Sequence, residues 1–192
     1  MLKQSDGKEI IKIGGILFAI TAIAALVLAL MNGVTAPVIA QNQAKKQAEA
    51  MQAVLPEASG FSEENLKTDD MDDTVTAVYE STNNAGFAVM VSPSGYGGAI
   101  SMAVGVTPEG EVAGVDIISQ TETAGLGSNC TKPEFKEQFV GKTAGITVTK
   151  SGAQGNEIDA ISSATITSKA VTAGVNSAIA AAEAAGGREV QK

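Results

Sequence analysis

The 192-residue sequence has no histidine and a single cysteine, Cys130. Without histidine, a Ser-His-Asp triad, a Cys-His pair and a His-ligated metal are all out of reach. One cysteine cannot close an intrachain disulfide or supply the four thiolates of a standard iron–sulfur cluster. Aromatic residues are scarce at 4%, and 13 basic residues against 21 acidic ones leave a net charge of −8. What is plentiful is glycine, 21 residues in all, which suits turns and close backbone approaches. The length fits one ordinary domain plus an appendage. Any chemistry is expected to ride on a group that the chain carries.

The appendage comes first. No charged residue lies between Lys12 and Lys45, and Ile13 to Met31 reads IGGILFAITAIAALVLALM. At about 1.5 Å per residue that run reaches roughly 28 Å, close to the hydrocarbon thickness of a bilayer. A buried core helix is seldom apolar all round over such a length. A cleaved signal peptide is the closer alternative, with Val38-Ile39-Ala40 as a cleavage site, but its apolar core spans only about 7 to 15 residues. The expectation is therefore an uncleaved transmembrane helix over residues 13–34, with residues 1–12 in the cytoplasm. Lys3, Lys8 and Lys12 against Asp6 and Glu9 on one side, and Lys45 and Lys46 on the other, give little positive-inside bias. The remainder decides the orientation: residues 47–192 carry a net −11. An acidic, cysteine-poor domain after one N-terminal anchor is expected outside the cytoplasm, on the far side of the inner membrane. The same acidity argues against nucleic acid or anionic lipid as its partner.

Residues 35–73 are expected to connect span and domain. Gln43 to Val54 is rich in helix formers and predicts an exposed helical extension, limited by Pro56. Residues 57–73 hold seven acidic residues, Glu57, Glu63, Glu64, Asp69, Asp70, Asp72 and Asp73. They read as solvated surface with one short helix near Ser62, since the ordered ligand spacing of a calcium loop is absent. From Thr74 the pattern becomes that of strands: 74–79 and 86–91 around the turn-prone Asn83-Asn84, then 100–106 and 112–119 around Pro108-Glu109-Gly110. Residues 146–149 form a weaker strand candidate. From Ser168, Val171, Val175, Ile179 and Ala182 share one helical face until Gly186-Gly187. Antiparallel hairpins with segregated helices indicate an α+β domain over 74–192.

Three short segments carry chemical interest. Residues 159–168, DAISSATITS, place five hydroxyl side chains in seven positions immediately before a helix. Hydroxyls and free N–H groups at a helix N-terminus suit a phosphate; the alternative is that Ser168 or Thr167 simply caps the helix. Ser163 and Ala164 are small enough for a bulky group to approach the backbone. Glu122-Thr123-Ala124-Gly125-Leu126-Gly127 follows a predicted strand as a tight loop, without the spacing of a GxGxxG phosphate loop. Ser94-Gly95-Tyr96-Gly97-Gly98 follows another strand, either as a seat for a flat ring or as a loop with a packed tyrosine.

Together these segments resemble a known family. Asp159-x-x-Ser162-Ser163-Ala164-Thr165 is similar to the flavinylation motif Asp-Gly-x-Ser/Thr-Gly-Ala-Thr, found in the G subunit of Rnf-type electron-transport complexes and in the C subunit of the sodium-pumping quinone reductase. Glu122 to Gly127 resembles the family's Glu-Thr-Pro-Gly-Leu-Gly loop, and Ser94 to Gly98 its Gly-Tyr-Gly-Gly segment. Ala160 and Ser163 stand where glycine is usual, and Ala124 where proline is. The order of anchor, Gly-Tyr-Gly, Glu-Thr-x-Gly-Leu-Gly and Ser-x-Ala-Thr covers nearly the whole chain, and its shortness is more like the Rnf protein.

The resemblance implies one FMN per chain, joined through its phosphate to the Thr165 hydroxyl as a phosphoester, which makes the chain a phosphoprotein. It further implies flavin contacts from Ser162, Ser163, Ala164, Glu122, Thr123, Leu126, Gly127, Tyr96 and Gly97. A threonine hydroxyl is a poor nucleophile unaided, so attachment implies a separate flavin transferase using FAD as donor. Asp159 is then a recognition partner for that transferase, or merely a side chain bonding nearby amides. Cys130 suggests a small structural cysteine rather than a redox thiol. The implied function is an electron-relaying flavoprotein of an ion-translocating complex that moves electrons between ferredoxin and NAD, with the other membrane subunits as partners and no substrate site of its own. The quinone-reductase protein is the alternative within the flavin class. An anchored binding module without redox chemistry is the alternative outside it.

Overall fold

Both expected hairpins form in the computed structural model of the chain, which describes residues 7–64 and 71–187. Lys3, Asp6, Asp69 and Asp70 lie outside the described residues. The chain divides into two compact units, residues 1–45 and 46–192.

The first unit is helical throughout its described residues, as most of helix α1 (Gly7–Val54). Its apolar stretch has a mean hydropathy of 2.7 and none of that window is buried, unlike a core helix. Pro37 lies inside the helix without breaking it.

The second unit is built on a five-stranded antiparallel meander, β1 (Phe61–Glu64), β2 (Val75–Ser81), β3 (Phe87–Val91), β4 (Ser101–Val106) and β5 (Val112–Ser119), in that spatial order. The short helix expected near Ser62 is instead β1, with Phe61 opposite Ser81 and Glu64 opposite Val78. Pairing to β2 satisfies its backbone groups, which a four-residue helix would leave mostly unbonded. Asn84 turns the β2–β3 hairpin at φ 56°, a left-handed conformation that asparagine tolerates.

Side-chain alternation sends Val89 and Val91 of β3, and Met102, Val104 and Val106 of β4, to one face. There they meet Val171, Val175, Ala178, Ile179 and Ala182 of helix α3 (Thr165–Gly186). Each valine or isoleucine so buried contributes roughly 1.5–3 kcal/mol. The opposite face carries Ala88, Met90 and Ala103, which pack with Ala50 and Val54 from the last turns of α1. The end of α1 is therefore not an exposed extension: its apolar side closes the second face of the sheet. That cover explains why β3 and β4 read as nearly continuous apolar runs.

Between β5 and α3 the chain forms a short 3-10 turn (Gly127–Thr131), helix α2 (Pro133–Lys136), a second 3-10 turn (Glu137–Phe139), and a parallel pair of short strands, β6 (Thr147–Thr149) and β7 (Glu157–Asp159). Phe135 and Phe139 stack edge-to-face at 5.4 Å beneath the sheet, and the Lys136 ammonium donates to the Asp116 carboxylate of β5 at 2.7 Å.

Candidate functional site

The three sequence segments converge at one end of the sheet. Antiparallel registry brings the end of β3, the start of β4 and the end of β5 side by side: Val91 faces Met102, and Ser101 faces Ser119. The loop leaving β3 is a tight hairpin, with the Gly95 N–H bonded to the Gly98 carbonyl at 2.8 Å and Tyr96 at its tip, 71% exposed. The loop leaving β5 lies against it. The Thr121 hydroxyl donates to the Gly97 carbonyl at 3.1 Å, and the Gly97 N–H donates to Glu122 Oε1 at 2.8 Å.

The other oxygen of Glu122 reaches the third segment. Thr167, in the first turn of α3, donates its hydroxyl to Glu122 Oε2 at 2.5 Å. Glu122 is only 8% exposed. A single carboxylate thus fastens the Tyr96 loop to the start of α3. Gly127 must be glycine for this, since a Cβ there would come within 2.5 Å of Glu122 Oε2 and 2.6 Å of Thr167 Oγ1.

Helix α3 begins at Thr165, three residues before the start expected at Ser168. Ala164 occupies the N-cap position and makes no side-chain capping bond. The cap reading of Thr167 and Ser168 is therefore corrected: both hydroxyls are buried and engaged elsewhere. The Ser168 hydroxyl accepts the Ile161 N–H at 2.9 Å and donates to the Ala164 carbonyl at 3.0 Å. Thr165, by contrast, is exposed at the first helical position. Just before it Ser163 adopts φ 60°, the left-handed turn for which glycine is better suited.

These elements enclose a cleft of about 550 Å³. Tyr96 contributes to its wall from the β3–β4 loop, Glu122, Thr123, Leu126 and Gly127 from the β5 loop, and Ser163, Ala164, Thr165, Ile166 and Thr167 from the helix start. Eight of the ten residues expected to touch a cofactor are in this lining. The other two, Ser162 and Gly97, are neighbours outside it; Gly97 acts through its N–H to Glu122. Tyr96, Leu126 and Ile166 are exposed apolar side chains on the same wall. Ile166 and Thr167 are additions to the expected set. An isoleucine left 55% exposed on an otherwise well-packed helix has no periodic signature in the sequence, because its neighbours Thr165 and Thr167 carry the visible pattern.

Asp159 does not line the cleft. It ends β7, and its Oδ1 accepts the Ala153 N–H at 2.9 Å. Cys130 is fully buried; burial, and secondarily the charge of Glu122, push its thiol up to about 11, which removes the thiolate needed for redox reactivity. A second cleft of about 420 Å³, between the β4–β5 turn and the far end of α3, is lined by Glu80, Glu109 and Glu183 and by none of the expected cofactor residues.

Comparison with known proteins gives a consistent picture. Residues 95–180 match the FMN-binding domain family, and residues 1–54 match the RnfG N-terminal region. The chain is 37% identical over 180 residues to the G subunit of the proton-translocating ferredoxin:NAD(+) oxidoreductase complex of Clostridium ljungdahlii, covering 93% of this chain and 95% of that one. It is 38% identical over 197 residues to the G subunit of the Na(+)-translocating ferredoxin:NAD(+) oxidoreductase complex of Acetobacterium woodii, covering 92% and 93%. The G subunit of the ion-translocating oxidoreductase complex of Methanosarcina acetivorans is 36% identical over 183 residues, covering 92% and 96%. In fold, the chain is similar to the C subunit of the Na(+)-translocating NADH-quinone reductase of Parabacteroides distasonis, with a TM-score of 0.53 and 21% identity over 72% of this chain and 91% of that one.

Proposed function

The chain belongs to the family of G subunits of Rnf-type ion-translocating oxidoreductase complexes, and we propose that its FMN is carried in the Thr165 cleft, joined to the Thr165 hydroxyl through the phosphate. On this reading it is the FMN-bearing electron-transfer component of a membrane-anchored complex that couples ferredoxin:NAD(+) oxidoreduction to ion translocation. The observation that carries it is the position of Thr165: an exposed hydroxyl at the first residue of a 22-residue helix whose N-terminus has no side-chain cap.

The residues fit such a group. A helix N-terminus offers unbonded N–H groups and a favourable dipole to a phosphate. The exposed faces of Tyr96, Leu126 and Ile166 offer apolar surface to a planar ring. The volume of about 550 Å³ lies within the usual range for a cofactor site. When bound, the flavin accepts and returns electrons; the protein's part is binding, orientation and electrostatics. Thr123 offers a hydroxyl on the wall, Ser163 and Ala164 leave the backbone approachable, and Glu122 holds the walls together.

No general base touches Thr165: none of its hydrogen bonds involves a carboxylate or amine among the described residues, and the chain has no histidine. That supports attachment by a separate flavin transferase drawing on FAD. Asp159, anchored to the Ala153 amide away from the cleft, is suited to recognition by such an enzyme rather than to redox work. The long apolar helix anchors the chain, and the net −11 of residues 47–192 supports an extracytoplasmic domain on the inner membrane, in contact with the complex's other membrane subunits.

The test is intact mass and in-gel fluorescence of the denatured full-length chain coexpressed with a flavin transferase. The wild type is expected to gain the mass of FMN less one water and to fluoresce, and Thr165→Ala is expected to do neither. A wild type that stays colourless would sink the flavin reading; a mutant that still fluoresces would move the acceptor to Thr167 or Ser163.

A further inference from the structure

Among the described residues, Glu122 is the one charged residue on the wall of the Thr165 cleft. Both of its carboxylate oxygens are occupied, by the Gly97 N–H and the Thr167 hydroxyl. Neither donor is a cation, and no lysine or arginine forms an ion pair with it among the described residues. Glycine backbones close over the group, since a Cβ at Gly95 would lie 2.4 Å from Oε1 and one at Gly127 2.5 Å from Oε2. The carboxylate is thus buried, fixed in direction and not neutralised by a counter-charge. The same charge is the second cause, after burial, that pushes the Cys130 thiol up.

We propose that Glu122 is a positioning residue whose fixed negative charge holds the flavin of this cleft at a lower reduction potential than a neutral side chain would. The inference rests on the FMN reading given above. When bound, the flavin would take an electron from the donor side of the complex and pass it to the next acceptor; the negative charge gained on reduction would be disfavoured by the Glu122 carboxylate on the cleft wall, which is itself neither oxidised nor reduced. Repulsion in such a setting is weakly screened, so the reduced form is disfavoured and its electron is passed on more readily. Thr167 and Gly97 keep the carboxylate from turning into solvent, where the effect would fade.

The experiment is a spectroelectrochemical titration of the flavinylated full-length chain, comparing wild type, Glu122→Gln and Thr167→Val. Glutamine preserves shape and removes charge; valine removes the hydroxyl and preserves the carboxylate. In the molecules that carry flavin, Glu122→Gln is expected to favour the reduced form at least tenfold more than the wild type, a rise of about 59 mV for a one-electron step. Thr167→Val is expected to shift in the same direction but by clearly less, because the charge remains and the Gly97 N–H still holds the other carboxylate oxygen. An unchanged potential in Glu122→Gln would overturn the proposal, and so would equal shifts in the two variants, which would trace the effect to packing. Loss of flavin uptake by Glu122→Gln would overturn it too, by assigning the charge to attachment. A wild type without flavin is a different failure: the FMN reading falls, and this inference with it.

Discussion

Ser163 shows how one residue sits between local preference and site geometry. Its φ of 60° turns the chain so that Ala164 and Thr165 start a helix facing the cleft. A residue with a Cβ gives up roughly 1–2 kcal/mol in that conformation, and the family motif has glycine there. Ser163→Gly is therefore expected to stabilise the protein by about 1 kcal/mol, read as a rise in melting temperature of about 2–4 °C. The added backbone freedom of glycine in the unfolded chain works the other way, so a fall would mean that entropy outweighs the relieved strain. Flavin uptake is expected to persist, because the serine hydroxyl makes no hydrogen bond among the described residues that glycine would remove.

At the scale of elements, the contact between the end of α1 and the sheet depends on a glycine pair. Gly105 of β4 and Gly114 of β5 face each other in register, and both lie under Val54. A Cβ on Gly105 would fall 2.2 Å from the Val54 carbonyl oxygen and 2.8 Å from its carbon. Backbone cannot yield as a flexible side chain does, so Gly105→Ala is expected to push the last helical turn off the sheet. A cost of about 1–3 kcal/mol is expected, measurable in chemical denaturation and as faster hydrogen exchange over residues 50–55. Gly114→Ala meets Val54 at 3.1 Å or more and is expected to cost less. The helix start at Thr165 belongs to this scale as well. Apolar periodicity marks α3 from Val171 onward, whereas its first turn is organised by Glu122 and by the Ser168 hydroxyl, both long-range or off-pattern partners.

At the scale of the molecule, the apolar span and the sheet domain fall in separate compact units divided near residue 45. The cleft is built entirely from the second unit. A chain beginning at Lys46 is therefore expected to be soluble, to retain the α1 segment that covers Ala88 and Ala103, and to accept flavin from the transferase. The full-length chain is expected in the membrane fraction. Fractionation followed by in-gel fluorescence checks both; a truncated chain that aggregates or stays colourless would show that the domain needs its anchor to fold.

The sequence by itself determined the long apolar run, the order of the hairpins and the end of α3, and it singled out the three segments that line the cleft. Each of these is encoded locally: a long uncharged run, period-two alternation with turn residues between, a terminal glycine pair, or a contiguous motif. Only the tertiary structure decided that Phe61 to Glu64 is a strand, that Ala50 and Val54 are core, and that the helix begins at Thr165 rather than Ser168. It also decided the pairing of Glu122 with Thr167, 45 positions apart in the chain. Those features depend on partners brought together by folding. β1 needs β2 for its backbone hydrogen bonds, the end of α1 needs the glycine trough for its burial, and the Glu122 carboxylate is made useful only by two donors that chain spacing does not bring near it.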